Sequence, residues 1–315
     1  MTATHAIEVK GLVKTYEKLT AIDGISFDVN NKEVFSFLGP NGAGKTTTVE
    51  ILECLRDPTA GEAYVLGYDV RKHDGQEAIK KKIGVLPQDF NALDWLTVFE
   101  NIEYFRKIYG SRADSMYLLK LVGMDERANQ RYKTLSGGMK QRLGIAISLV
   151  NDPEIIFLDE PTAGLDPQAR RDTWELIRKL RDEGKTTFLT THYMEEAQAL
   201  SDTVMLIVEG KIVARGSPNQ LIDEYGGKKS IVVRNASSGI DNHNLITLFD
   251  GMRAKAAQNG DVIVPFTDNS DLTRVISILE KENAKMAEIE LRSPNLEDVF
   301  LSLTGKRITS EGSVG

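Results

Sequence analysis

The sequence contains only one cysteine, Cys54, in 315 residues. A single cysteine excludes both an internal disulfide and a metal site built from several cysteines, and it fits a reducing compartment. Because Cys54 lies within the mostly apolar pattern VEILECL, a small buried side chain is favoured there over a reactive thiol.

Long apolar runs are also missing. No run approaches the roughly 18 residues that a membrane-spanning helix needs. Residues 143–150 form one of the longest, and their length suits a buried core element. The stretch MTATHAIEVK lacks a basic region followed by an apolar core, so no secretion signal is expected. The net charge of −7 argues against a nucleic-acid surface, and no nucleic-acid partner is expected.

The composition, with 41% hydrophobic and 27% charged residues, is that of an ordinary folded protein. Short apolar strand patterns alternate with helical ones through residues 1–226, which predicts a large α/β domain. From about residue 228 short strands and helices predict a small α+β domain over 227–306. Residues 307–315 are expected to be disordered.

Residues 34–50, VFSFLGPNGAGKTTTVE, predict a buried strand, a glycine turn and the start of a helix. Gly39, Gly44, Lys45 and Thr46 match the pattern Gly-x4-Gly-Lys-Thr in this strand–loop–helix context. Such a loop points backbone N–H groups at phosphates, and the helix adds its positive dipole end. Glycines that only form a turn are the alternative. The motif predicts binding of a nucleoside triphosphate.

Asp159 and Glu160 end the apolar run of residues 155–158, which is typical of a strand in the middle of a parallel sheet. Ligands of open α/β sheets bind at the carboxyl ends of the strands. An acid there can hold Mg²⁺, and a second can orient or deprotonate a water. The alternative is a solvated pair of acids.

Other signals are weaker. Ser136, Gly137 and Gly138 precede an apolar helix and could contact a phosphate, although a serine cap before a glycine turn has the same letters. His192 ends a strand, where a lone histidine is more often a packing residue. Tyr16, near a turn, is best interpreted as a strand tyrosine packed on the core.

Bulky apolar residues also gather beside one loop: Leu93, Trp95, Leu96 and Phe99. Most such residues belong to a core, but a cluster that borders a loop is also what a docking surface for another protein looks like.

Together these motifs resemble the ATP-binding cassette ATPases, the nucleotide-binding subunits of ABC transporters. The resemblance is carried, in order, by residues 39–46 (GPNGAGKT), Gln88, residues 135–142 (LSGGMKQR), residues 155–161 (IIFLDEP), residues 163–166 (AGLD) and His192. It covers roughly the first 220 residues. The ending LEDVFLSLTG resembles the accessory domain of exporter ATPases of the daunorubicin-resistance type. The expected fold is a P-loop NTPase cassette, with a mixed sheet and a helical signature subdomain, followed by the small α+β domain.

The resemblance implies roles for individual residues. Phosphate contacts are expected from the loop residues Gly39, Pro40, Asn41, Gly42, Ala43, Gly44, Lys45, Thr46 and Thr47. Tyr16 would stack on adenine, and Ser136, Gly137, Gly138 and Asp166 would contact ATP across a dimer. Thr46, Gln88 and Asp159 are the expected Mg²⁺ ligands. The expected catalytic groups are Glu160 as base, His192 on the γ-phosphate, Lys45 and Gln88.

The implied function is ATP hydrolysis with Mg²⁺, which drives an exporter of a drug, a lipid or another amphiphile. The implied partners are a transmembrane permease on a separate chain and a second copy of this chain. The expected location is the cytoplasmic face of the cell membrane, where the protein would be peripheral. Two alternatives stay open: a soluble ATPase of this type in a non-transport assembly, and a binding module that has lost hydrolysis.

Overall fold

A computed structural model describes residues 5–17, 19–234, 246–257, 260–281, 288–306, 308–309 and 312–313. The chain forms two compact units, one of residues 1–219 with 306–315 and one of residues 220–305. The predicted boundary at 226/227 stays a prediction. No helix among the described residues is long and apolar enough to cross a membrane.

The strands are β1 Ile7–Tyr16, β2 Leu19–Val29, β3 Val34–Leu38, β4 Ala60–Val65, β5 Tyr68–Asp69, β6 Ile83–Leu86, β7 Ile155–Asp159, β8 Thr186–Thr191, β9 Thr203–Val208, β10 Lys211–Gly216, β11 Ser230–Arg234, β12 Lys255–Ala256, β13 Val262–Pro265 and β14 Glu288–Arg292. The α-helices are α1 Lys45–Leu52, α2 His73–Lys80, α3 Val98–Ile108, α4 Ser115–Leu121, α5 Gly137–Ser148, α6 Pro167–Asp182, α7 Met194–Leu200, α8 Pro218–Tyr225, α9 Asn269–Lys281 and α10 Leu296–Thr304.

The large unit is built on a six-stranded sheet of order β10-β9-β3-β8-β7-β6. The neighbours from β9 to β6 pair in parallel, and β10 pairs antiparallel with β9 through a turn at Glu209 and Gly210. Because β3, β8, β7 and β6 run in the same direction, their carboxyl ends lie along one edge. The predicted mixed α/β sheet is confirmed.

Both faces of the central strands β3, β7 and β8 are buried, as the apolar runs of β3 and β7 predict. One face packs on helices α3 to α6 through side chains such as Ile156 and Leu158. The other packs on an antiparallel sheet of order β2-β1-β4-β5 and on α1. There Phe188 is surrounded by Phe27, Phe35, Phe37 and Phe157, with ring centroids 5.2–6.4 Å from its own. These contacts hold β3, β7 and β8 in place relative to one another.

The small unit has its own antiparallel sheet, of order β12-β13-β11-β14. Its separate core includes Ile231, Val233, Val262, Val264 and Val275. The unit is therefore α+β, as predicted.

Part of the predicted disordered tail is described. The N–H of Asn41 donates to the carbonyl of Gly312 at 2.7 Å, and Gly312 is buried. Residues 307, 310–311 and 314–315 of that tail lie outside the described residues. The predicted disorder stays a prediction.

Helices α6 and α7 are joined by a buried acid, Glu196, which is 0% exposed. Its Oε1 accepts hydrogen bonds from the Thr162 hydroxyl at 2.7 Å and from the Trp174 indole N–H at 3.1 Å. Complete burial raises the pKa of Glu196. The folded protein therefore binds this proton more tightly than the unfolded chain does.

We predict that Glu196→Gln keeps the fold stable whereas Glu196→Ala lowers the free energy of unfolding by about 2–4 kcal/mol. Glutamine preserves the accepting oxygen, while alanine leaves two buried donors unpaired. As pH rises above about 4.3, the usual pKa of an unfolded glutamate, the wild type loses stability that the glutamine variant retains. Urea unfolding at pH 5 and pH 8 measures both effects.

The matched control is Glu195→Gln, which changes the exposed neighbouring acid in the same helix turn. It should leave the stability within about 0.5 kcal/mol of wild type. A glutamine variant at position 196 that is as unstable as the alanine variant would contradict the prediction.

Candidate functional site

The loop between β3 and α1 has no room for side chains at two of its glycines. A Cβ at Gly39 would lie 2.2 Å from the carbonyl oxygen of Ile207, and one at Gly44 would lie 2.4 Å from that of Ala21. Gly44 also has φ of 102°, which a residue with a Cβ rarely adopts. Gly44 caps α1 without any side-chain hydrogen bond. The first N–H groups of this helix are thus left for a ligand.

Lys45 lies folded back over its own loop. Its Nζ donates to the carbonyl oxygens of Gly39 at 2.8 Å and Pro40 at 3.1 Å. The same atom is 3.6 Å from Oε1 of Glu160, and the side chain is buried. The Lys45 ammonium group therefore connects the loop after β3 with the residue after β7, although these segments lie more than a hundred positions apart in sequence.

Asp159 ends β7 beside the loop. Its Oδ2 accepts from the Thr46 hydroxyl at 3.4 Å, and its Oδ1 accepts from the Thr190 hydroxyl. Asp159 and Thr190 are direct neighbours in the β7–β8 ladder, which explains that contact. A hydroxyl and a carboxylate brought together in this way are oxygen donors of the kind that Mg²⁺ prefers.

Glu160 follows with φ of 48°, in the left-handed region. Its N–H donates to the carbonyl and to the hydroxyl of Thr190, both at 3.1 Å. Its Oε2 lies 3.0 Å from Nδ1 of His192. The strained backbone thus turns the carboxylate inward, between Lys45 and His192.

His192 begins the turn after β8 and is buried. Among the residues that the structure describes, neither of its buried ring nitrogens has a partner with hydrogen-bond geometry. Nδ1 has the Glu160 carboxylate at 3.0 Å, whereas Nε2 has no ion-pair partner either. Buried polar atoms are nearly always paired. An unpaired one at the edge of the loop is what a site for a polar ligand would leave.

The two acids differ in their electrostatics. Burial raises the pKa of Asp159, and the neighbouring Glu160 charge raises it further. Together they outweigh the Thr190 hydrogen bond and the Lys45 charge, which lower it. Burial also opposes ionisation of Glu160, but His192 and Lys45 overcome it and hold the pKa of Glu160 below its ordinary value. The Glu160 carboxylate is therefore ionised at neutral pH.

Ser136, Gly137, Gly138 and Asp166 form a second group. The Ser136 hydroxyl caps α5 by accepting from the N–H of Met139 at 3.3 Å, and a Cβ at Gly138 would lie 2.8 Å from that of Ala169. Asp166 caps α6 by accepting from Gln168 and Ala169. Ser136, Gly137 and Asp166 are exposed. Among the described residues, no hydrogen bond or ion pair joins this group to Lys45 or Glu160.

Two further predicted residues lie apart from the buried group. Gln88 is exposed, two residues beyond the end of β6, and forms no hydrogen bond within the described part of the chain. Tyr16 ends β1 with its ring near two cations, Lys14 at 5.2 Å and Arg56 at 5.3 Å. Its ring is partly exposed and is not a core side chain.

Sequence reasoning missed two residues. The Thr190 hydroxyl donates to the Asp159 carboxylate and accepts from the Glu160 N–H. Nothing in the run TTFLTTH distinguishes this threonine from the others. Glu53 caps the carboxyl end of α1, where burial and the charges of Asp159 and Glu50 raise its pKa to about 8. A glutamate in an otherwise mostly apolar helix segment was the one available signal for Glu53.

The predicted apolar cluster is partly exposed. Trp95 is 76% and Leu93 39% exposed. A groove of about 320 Å³ runs nearby, lined by Phe90, Phe105 and Tyr109 with the end of α5. Phe99 packs on the core with Phe90 and Phe105. Two of the four predicted side chains, Leu93 and Trp95, are therefore exposed.

A family model described as "ABC transporter" matches residues 22–163. The "Nod factor export ATP-binding protein I" of Ralstonia nicotianae is 37% identical over 313 residues, which cover 97% of this chain and 96% of that protein. The "Linearmycin resistance ATP-binding protein LnrL" of Bacillus subtilis is 33% identical over 316 residues, covering 96% and 99%.

Solved structures agree with these relatives. A dimeric post-hydrolysis state of the ATP-binding cassette MJ0796, bound to ADP and Pi, is 30% identical with a TM-score of 0.60. The match covers 67% of this chain and 98% of that one. The predicted fold class is confirmed. The chain belongs to the ABC transporter family, as one of its ATP-binding, ATP-hydrolysing subunits.

Proposed function

We propose that this chain is the ATPase subunit of an exporter and that it drives separate membrane subunits from the cytoplasmic face of the cell membrane. The observation that carries the proposal is the buried group of Lys45, Asp159, Glu160 and His192 at the carboxyl ends of β3, β7 and β8. The proposal of export is supported by the names of relatives that match over nearly the whole chain, one an export protein and one a resistance protein.

The loop residues Gly39 to Thr47 would hold the phosphates of ATP through their N–H groups. The absence of space for a Cβ at Gly39 and Gly44 supports close approach of the backbone. Lys45 would move from the two carbonyls that now hold it to the β- and γ-phosphates. The unpaired Nε2 of His192 would bind the γ-phosphate. Tyr16, already in contact with cations through its ring face, would stack on adenine.

Thr46 and Asp159 would hold Mg²⁺ with Gln88, since all three offer oxygen donors. When bound, Mg²⁺ supplies positive charge to the phosphates. The described residues contain no group of three or more His, Cys, Asp or Glu side chains that could hold a metal. This fits a site in which the substrate phosphates complete the coordination.

Glu160 would accept the proton of the attacking water. Its lowered pKa keeps it ionised, and the strained backbone and the Thr190 contacts fix its direction. His192 would orient the carboxylate through Nδ1 while it binds phosphate through Nε2. Catalysis of this kind consists mainly of positioning and of charge stabilisation by Lys45.

The group of Ser136, Gly137, Gly138 and Asp166, exposed except at Gly138, would serve ATP held by a second copy of this chain. Its exposure and its separation from Lys45 support a role across a dimer.

The exposed side chains of Leu93 and Trp95, with the groove at Phe90, would dock the membrane subunit. A soluble ATPase in a non-transport assembly is the alternative function.

We predict that Glu160→Gln binds ATP but hydrolyses it at least about tenfold more slowly, because a general base typically contributes 10²–10⁴-fold. Phosphate release with Mg-ATP measures turnover, and light scattering measures the closed dimer that slow hydrolysis should trap. Glu183→Gln, an exposed acid after α6, is the control and should match wild type. Near-wild-type turnover of Glu160→Gln would remove Glu160 from this role.

The proposed transporter function predicts a membrane partner. Tagged Glu160→Gln protein with Mg-ATP, purified from detergent-solubilised membranes of its own host, should bring down a chain with several spans of about 20 apolar residues. Mass and sequence identify that chain. Recovery only with ribosomes, nucleic acid or a soluble assembly would overturn the exporter proposal and leave the ATPase activity intact.

We further predict that Trp95→Ala weakens capture of that partner about tenfold, because exposed tryptophans often dominate an interface. ATP turnover without the partner should not change. The control is Leu55→Ala, which removes a similarly exposed apolar side chain (68%, against 76% for Trp95) outside the cluster. If Trp95→Ala and Leu55→Ala capture the membrane partner equally well, the docking surface lies elsewhere.

A further inference from the structure

The small unit, residues 220–305, contains a pocket of about 610 Å³ at one end of its sheet. The strand register explains the position, because Ser230 at the start of β11 lies opposite both Pro265 at the end of β13 and Arg292 at the end of β14. The amino-terminal ends of α9 and α10 supply further lining residues, Asp271 and Asp298 among them. The size falls within the range of small-molecule sites.

The lining of this pocket is strongly basic. Its six cationic side chains, against two acidic ones, are Lys228, Lys229, Arg253, Lys255, Arg274 and Arg292. Only Arg292 forms an ion pair with a described residue, at 2.9 Å from Asp298. The whole chain carries a net charge of −7, so its cations are otherwise outnumbered. A concave wall with charge of one sign concentrates the potential and attracts counter-ions.

The two acids of the pocket are already engaged in capping helices. Asp271 accepts from the N–H groups of Thr267 at 2.7 Å and Asp268 at 3.3 Å. Asp298 accepts from the N–H of Asn295 at 3.0 Å in a capping box as well as from Arg292. Both carboxylates therefore interact with the amino-terminal ends of helices, where the helix dipole is positive. With six cations against two acids, the described lining keeps an excess of positive charge.

We propose that this pocket binds a small ligand with at least two negative charges, and that the ligand carries them on phosphate groups. Three of the lining cations are arginines, whose planar guanidinium groups suit paired contacts to phosphate oxygens. The lining is mostly polar or charged, which does not suit an apolar ligand. A confined pocket also favours one compact group over an extended nucleic-acid strand. The phosphate can belong to a free phosphorylated molecule or to the headgroup of an anionic lipid.

The test compares two charge reversals on one helix. Arg274→Glu changes an exposed cation that lines the pocket, and Lys281→Glu makes a reversal at an exposed position of α9 outside the lining. Calorimetry with inorganic pyrophosphate probes a free phosphorylated ligand. Co-sedimentation with vesicles of phosphatidylglycerol, against vesicles of phosphatidylcholine, probes the headgroup source. Each experiment uses the full chain.

The loop at Lys45 also binds phosphates, so only the binding component that Arg274→Glu loses and Lys281→Glu keeps is assigned to the pocket. We expect Arg274→Glu to weaken that component at least about tenfold, through loss of a charge-assisted hydrogen bond and gain of repulsion. The double variant Lys228→Glu, Lys229→Glu, placed before β11, should reproduce the loss. It keeps the test decisive if Arg274→Glu fails to fold.

Pocket-dependent binding of pyrophosphate alone would identify a free phosphorylated ligand. Pocket-dependent binding of phosphatidylglycerol vesicles alone would identify a lipid headgroup. Binding of both probes that is unchanged in both pocket variants would overturn the proposal. Pocket-dependent binding of a hexaglutamate peptide, with neither phosphate probe bound, would overturn its phosphate chemistry. ATP turnover without added ligand, measured in parallel, should stay at the wild-type level in every variant.

Discussion

The buried carboxylate of Glu160 is the interaction on which the rest of the site depends. An isolated buried carboxylate either takes up a proton or costs several kcal/mol. Here Lys45 lies 3.6 Å from one oxygen and His192 lies 3.0 Å from the other, so ionisation is favoured. Lys45 in turn is held by two carbonyls of its loop. Changing the loop, the end of β7 or the end of β8 would therefore change the charge state of the same group.

The sheet explains how three distant segments can share that carboxylate. Strand β8 lies between β3 and β7, and its Thr190 pairs with Phe37 on one side and with Asp159 on the other. The backbone strain at Glu160 costs about 1–3 kcal/mol, and two hydrogen bonds to Thr190 help to offset it. The phenylalanine cluster around Phe188 holds the same strands together within the core. The packing of these strands in the core therefore also determines the geometry of the site.

Local patterns predicted the loop and the acids after β7, because consecutive residues determine both. Strand order could not be predicted in this way, since pairing between segments far apart in sequence leaves no local mark. Thr190 escaped notice for that reason: its importance comes from its neighbours in the sheet. Glu53 and Glu196 escaped because an acid in a helix pattern normally indicates an exposed position. Burial of an acid is decided by tertiary packing, which a single sequence does not display.

The distribution of exposure across the site accounts for the proposed link between hydrolysis and assembly. Lys45, Asp159, Glu160 and His192 are buried, whereas Thr46, Asn41 and Gly42 on the phosphate side are exposed. Electrostatic stabilisation of a transition state is strongest where water is excluded. In one copy of this chain the charged side chains are already in position, but the phosphate-binding loop is open to solvent. A second copy that presents the exposed residues Ser136 and Gly137 would cover that loop, so that full activity would require the same closure that moves a membrane partner.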